Sequence, residues 1–233
     1  MVTKDPLYET KDRKVFSTDD EKLWLVELKE PEFAAGKSKK RGKSSLSQIN
    51  CEVSAKIFDY LESFHVPNFF VEYKTGNQFL AKAMDRIPIQ VVVHNLASNH
   101  LIKKFGAKPY QELGSPILEF FKIDGKDNSL MLNEYHALAF DIATLEEFRM
   151  MSRIVTKVNA ILKSFFNRRE LKLVSFSCEF GRDGGKLTLM SGINMNTCRF
   201  YDSSSKPEKD VYNPDNGMLE KAYSNFKNRI LTK

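Results

Sequence analysis

Apolar residues recur along this chain at two spacings, and the switches between them lay out the elements. Lys14-Val15-Phe16-Ser17 and Leu23-Trp24-Leu25-Val26-Glu27-Leu28 are β-like runs either side of the turn-forming Ser17-Thr18-Asp19-Asp20, which predicts a hairpin. Val53, Ile57, Phe58, Leu61 and Phe64 then repeat at helical spacing, and Val66-Pro67-Asn68 stops that helix. Phe69-Phe70-Val71-Glu72-Tyr73 and Gln78-Phe79-Leu80-Ala81-Lys82-Ala83 predict two more strands. Ile87-Pro88-Ile89-Gln90-Val91-Val92-Val93-His94 is nearly continuous and rich in β-branched residues, the pattern of a buried central strand, and Ile117 to Phe121 continues its sheet. Thr144 with Glu147 has the spacing of a capping box. Behind it Leu145, Phe148, Met151, Ile154, Val155, Val158, Leu162 and Phe165 form one helical stripe that belongs to a core. A last helix, roughly 216–231, carries Leu219, Tyr223, Phe226 and Ile230 on one side.

These elements predict an α+β fold in two lobes: a small β-rich one with a single helix over 1–86, and a larger α/β one over 87–233. With 233 residues, 42% of them hydrophobic and 12% aromatic, the chain can bury a substantial core. The formal charge of +6 invites a nucleic-acid partner. Much of that excess is local, since Lys37, Lys39, Lys40, Arg41 and Lys43 fall in the Gly/Ser-rich stretch Ala34 to Ser47. That stretch reads first as a solvated loop, second as a loop closing over a phosphorylated small molecule, and only last as a nucleic-acid contact. Cys51, Cys178 and Cys198 are too few and too irregular for a disulfide framework or a zinc site, which fits a reducing cytoplasm. The start of the chain lacks an apolar signal region, and no apolar run approaches the roughly 18 residues of a membrane span.

Chemistry-bearing residues concentrate late in the chain. Val174-Ser175-Phe176-Ser177-Cys178-Glu179-Phe180-Gly181-Arg182-Asp183-Gly184-Gly185 is followed by Lys186-Leu187-Thr188-Leu189 and then by Ser191-Gly192-Ile193-Asn194-Met195-Asn196-Thr197-Cys198-Arg199-Phe200-Tyr201-Asp202. The stretch resembles the closing β-hairpin of SAICAR synthetase, a purine-pathway ligase that uses ATP to join aspartate to a carboxylated aminoimidazole ribonucleotide. Leu7-Tyr8-Glu9-Thr10-Lys11, Ile49-Asn50-Cys51-Glu52-Val53-Ser54, Ile87-Pro88 with Val91-Val92-Val93, Met131 with Asn133-Glu134, and Thr197-Cys198-Arg199 extend the resemblance nearly end to end.

The resemblance implies a β-rich lobe over an α/β lobe with ATP in the cleft between them. It implies ligand contacts at Lys11, Lys82, Met84, His94, Ser98, Asn99, His100, Lys122, Ser177, Glu179, Ser191, Asn196 and Arg199, with Lys11 facing phosphate and Glu179 a weak magnesium ligand. The family's charged set is thinned. Its second metal-holding aspartate falls at Ser191 and the adjacent glutamate at Gly192; a lysine and an aspartate of the strand fall at Ser177 and Ser175; the late Ser-Pro-Asp falls at Asn194-Met195-Asn196. Another lysine falls at Ile123, beside Lys122, an aspartate at Ser129 with Leu130 in place of a proline, an arginine at His94 and a phosphate-binding serine at His100. A magnesium site usually needs one or two carboxylates, so Mg2+ is in doubt here.

The same residues have plain readings. Glu179 on an apolar strand can be the buried partner of a lysine, Lys11 can be solvated, and His94 can be a satisfied core or rim histidine. Cys178 reads as an inert buried thiol, and nothing around Ser175 or Ser177 resembles a nucleophile elbow. The expectation from the lost charges is a SAICAR-synthetase homologue without the ligase step, binding a nucleotide-like small molecule, ATP or a relative, and sequestering or sensing it. The alternative is an active enzyme: a diverged SAICAR synthetase, or a nucleotide-processing enzyme using His94 or His100 as acid or base. A homo-oligomer is compatible with either.

Overall fold

The computed structural model describes residues 5–31, 45–97, 99–108, 111–123, 130–204, 209–210 and 219–232. The chain divides into two units, and it passes from one to the other after Asp85, Ser191, Asn196 and Tyr212.

In the first unit the expected hairpin forms from β2 (Arg13–Ser17) and β3 (Leu23–Leu28), paired antiparallel with Val15 opposite Val26. The Thr18 hydroxyl closes the turn by hydrogen-bonding the carbonyls of Asp20 and Leu23. β1 (Tyr8–Glu9) borders β2; β4 (Phe70–Thr75) and β5 (Gln78–Lys82) complete the antiparallel order β1-β2-β3-β5-β4. Helix α1 (Leu46–Glu62) packs on this sheet through Ile57, Phe58 and Leu61, all fully buried. Phe58 is the centre of an aromatic cluster, its ring 5.7, 5.4 and 6.4 Å from those of Phe69, Phe70 and Phe79.

α1 differs from its sequence forecast at both ends. It starts seven residues before Val53, because the Ser45 side chain accepts from the backbone N–H of Gln48 and caps it. Leu46 and Ser47 of the basic stretch are therefore helical, while 34–44 lie outside the described residues. At the other end the helix stops at Glu62, and Phe64 is exposed beside Tyr60 rather than in the stripe. His65 there takes a φ of +55°, which ends the helix before proline has any part in it.

The second unit carries the order β12-β11-β9-β6-β7-β8, with β10 (Lys186–Leu189) paired to β9. β6 (Asp85–Leu96) lies inside, with Ile87, Ile89, Val91 and Val93 buried. β7 (Glu112–Lys122) and β8 (Met131–Leu132) flank it on one side; β9 (Leu171–Asp183), β11 (Cys198–Asp202) and β12 (Lys209–Asp210) lie on the other. Between them come α2 (Asn99–Phe105), α3 (Glu134–Ala139) and α4 (Leu145–Asn167). α4 packs on β9, burying Phe148, Met151, Val155, Val158, Leu162 and Phe165, while Leu145 and Ile154 are half-buried at the margin of the stripe.

The predicted capping box is present: the Thr144 hydroxyl accepts from Glu147 N–H, and Glu147 accepts from Thr144 N–H. Arg182 on β9 adds bonds to both Glu147 oxygens, at 2.5 and 3.2 Å. Arg182, with Thr144 behind it, holds the Glu147 carboxyl below its ordinary 4.5. A value depressed in the folded state means a contribution that is complete above the ordinary glutamate value and is lost as pH falls through the folded one. Thermal midpoints followed from neutral pH into the acid range should therefore fall more steeply for the wild type than for Glu147→Gln. Parallel curves would remove Glu147 from the acid response.

The last helix, α5 (Leu219–Leu231), packs on α1, so it belongs to the first unit although a linear division at 86/87 assigns it to the second. Tyr223, Phe226 and Ile230 are fully buried. Lys227 pairs with Glu52 of α1. Among the described residues no helix is long and apolar enough to cross a membrane.

Candidate functional site

Two of the sequence-selected residues, Glu179 and Ser191, meet where Arg86 at the start of β6 reaches the middle of β9. Glu179 is buried on β9, and its Oε2 accepts from Nε and Nη2 of Arg86 at 3.2 and 2.9 Å. The Glu179 backbone N–H donates to the Ser191 hydroxyl at 3.0 Å, so Ser191 serves here as an acceptor. The partner of Glu179 is an arginine from the first strand of the unit, not the lysine expected. Arg86 escaped sequence reading because it lies 93 residues from Glu179 and no local spacing connects them.

Further along β6, His94 Nε2 lies 2.9 Å from Glu119 Oε2 of β7, with both side chains at most a tenth exposed. A carboxylate bonded to one ring nitrogen fixes the orientation of the imidazole. Lys122 ends β7 and is half-buried. Ser177 is half-buried on β9, and its N–H donates to the Thr197 carbonyl. Arg199 is exposed on β11 opposite Ser175. Asn99 and His100 open α2; their side chains, like Ser98 and Ser129, lie outside the described residues.

Lys11, Lys82, Met84 and Asn196 belong to the first unit. Lys11 is exposed in the bend between β1 and β2, Lys82 is exposed at the end of β5, and Met84 is buried just beyond. Asn196 is part of a neutral network that docks 192–196 on α1. Asn194 Nδ2 donates to the Ser54 hydroxyl, Met195 N–H to Asn50 Oδ1, Asn196 N–H to Asn194 Oδ1, and the Tyr223 hydroxyl to Asn196 Oδ1. Burial pushes the Tyr223 phenol well up, which keeps its proton available for that bond.

Gly192 explains one missing charge. A Cβ at this position would meet the Ser54 hydroxyl at 2.8 Å and Asn194 Nδ2 at 3.0 Å, so the space that a glutamate would need is filled. Gly192→Ala should cost about 1–2 kcal/mol by overpacking, read from urea denaturation, with part of it restored when Ser54→Ala is added. An unchanged midpoint would mean that the segment yields freely.

The thiols offer no chemistry at this site. Cys51, Cys178 and Cys198 are free and buried. Burial pushes the Cys51 thiol up to about 12 and Cys178 higher still, so neither carries a thiolate near neutrality.

Magnesium, implied by the resemblance, finds a poor match. Glu179 is already engaged by a cation, Ser191 is a neutral acceptor, and among the described residues no group of three or more His, Cys, Asp or Glu side chains gathers as a metal site.

The sequence model of the SAICAR synthetase family matches residues 6–230. The chain belongs to the SAICAR synthetase family. It is 37% identical over 227 residues to a phosphoribosylaminoimidazole-succinocarboxamide synthase of Pelodictyon phaeoclathratiforme, covering 97% of this chain and 96% of the relative. A synthase of the same name from Chlorobium luteolum is 38% identical over 228 residues, covering 97% and 95%. Among solved structures, a SAICAR synthetase (Type-2) in complex with ADP superposes with a TM-score of 0.85 at 31% identity, covering 97% of each chain. The synthase of Ehrlichia chaffeensis gives 0.85 at 26% identity, covering 97% of this chain and 98% of the other. The α+β SAICAR-synthetase fold expected from sequence is thereby established.

These similarities overturn the expectation of a ligase-dead scaffold that sequesters or senses a nucleotide. Full-length relatives at this identity carry the name of the synthase. The physical fault in that expectation was to tally cations only at the family's own positions. Arg86 on β6 is one cation outside that tally, paired with Glu179.

Proposed function

We propose that this chain is an ATP-dependent SAICAR synthetase acting with a rearranged charge set. The observation that carries this is end-to-end similarity, 37% identity over 97% of the chain, to a protein named for that reaction. The ADP in the name of the Type-2 neighbour fits transfer of the terminal phosphoryl group. In balanced form, the ribonucleotide carboxylate attacks the γ-phosphorus and ADP leaves; the aspartate amine then attacks the acyl carbon and expels phosphate. One amide bond forms and one phosphoanhydride bond breaks.

On the first unit, Lys11 and Lys82 are the proposed nucleotide-phosphate contacts, with Met84, just beyond Lys82 in the chain, a further proposed contact. On the second, Lys122 and Arg199 are the proposed cations for phosphate groups, and His94, oriented by Glu119, is the proposed acceptor of the amine proton. Phosphoryl transfer rests on positioned positive charge, and losing one such group commonly slows it about a hundredfold. The reducing cytoplasm is the proposed compartment, in keeping with three buried free thiols.

The test supplies purified protein with ATP, aspartate and the carboxylated aminoimidazole ribonucleotide, following ADP release and product absorbance together. ATP- and aspartate-dependent product is expected, falling about a hundredfold in Lys11→Ala and in Arg199→Ala. A folded protein that forms no product above background would overturn the proposal.

A further inference from the structure

The pairing of Arg86 with Glu179 has a consequence for metal chemistry that the family relationship does not predict. Two guanidinium N–H groups converge on one carboxylate oxygen at 2.9 and 3.2 Å, and the Glu179 and Arg86 side chains are only 8% and 23% exposed. An ion ligated by Glu179 would share that oxygen's surroundings with a permanent positive charge, in a largely buried setting that screens the repulsion only in part. The neighbouring side chain offers no compensation, since the Ser191 hydroxyl already accepts the Glu179 N–H and carries no charge. A small divalent ion gives up its water only for near-octahedral oxygen ligands, usually including one or two carboxylates.

We propose that Arg86 is the resident cation of this site, neutralising Glu179 in place of a protein-held divalent ion. Magnesium then reaches the protein only as the nucleotide's own complex, ligated by phosphate oxygens and water. This goes beyond the ligase reading. Its test uses neither nucleotide nor turnover, so the two stand or fall separately.

The experiment is a Mn2+ titration of the nucleotide-free full chain, followed by the loss of the free-ion paramagnetic resonance signal. It compares the wild type, Glu179→Gln, and the double variant Arg86→Met with Ser191→Asp, each checked for folding by circular dichroism. Wild type and Glu179→Gln should bind Mn2+ equally weakly, within about twofold. The double variant, with two carboxylates and no guanidinium, should gain a site at least about tenfold tighter. A wild-type site about tenfold tighter than that of Glu179→Gln would overturn the proposal. A folded double variant no tighter than the wild type would overturn Arg86 as the excluding group. If the double variant does not fold, the comparison of wild type with Glu179→Gln decides alone.

Discussion

Replacing Arg86 with alanine should lower the unfolding free energy by about 2–4 kcal/mol, because it removes the guanidinium that two hydrogen bonds tie to a buried carboxylate of β9. Glu179 is 6% exposed as a residue and accepts two side-chain hydrogen bonds from Arg86. Breaking a fully buried pair costs more than this, and the partial exposure of Arg86 reduces the figure. Glu179→Gln should cost less, since an amide oxygen still accepts from the guanidinium and the arginine keeps contact with water. Adding Glu179→Gln to Arg86→Ala should recover about 1–2 kcal/mol, the signature of a coupled pair. Urea denaturation of the four proteins measures this cycle. A loss under about 0.5 kcal/mol in Arg86→Ala, with no coupling, would mean that Glu179 does not depend on Arg86.

Phe58→Ala should be at least as damaging, by about 3–5 kcal/mol, and should act on the first unit. Its ring is fully buried against three other phenylalanines, Phe69 just before β4, Phe70 at its start and Phe79 on β5, so truncation opens a cavity that rigid neighbours cannot fill. Phe58→Leu keeps most of the volume and should cost about a third as much. The contrast between the two in thermal or urea unfolding separates a packing role from a merely hydrophobic one. Equal effects would assign the stability to ring–ring geometry.

Local rules made much of this fold readable. The hairpin of β2 and β3, the apolar run of β6 and the capped stripe of α4 each depend on residues a few positions apart, and each forms where periodicity places it. Distant pairings were not readable. Nothing around Arg86 points to Glu179, nothing around Tyr223 points to Asn196, and Gly192 looks dispensable until Ser54 occupies its flank. The same limit misdirected the functional expectation. Losses at fixed motif positions are visible in a sequence, whereas the pairing of Arg86 with Glu179 becomes visible only once β6 and β9 are neighbours. Sequence singled out Glu179, and its partner was the part that required three dimensions.

The first unit borrows 192–196 and the terminal helix from the far end of the chain. During synthesis at roughly 5–20 residues per second, α1 emerges many seconds before the partners of Asn50, Ser54 and Glu52 exist. Until then its polar flank faces solvent or chaperone. Expression of 1–85 alone would leave that flank permanently bare, whereas a fusion that tethers α5 directly to β5 would give the helix its missing neighbour early.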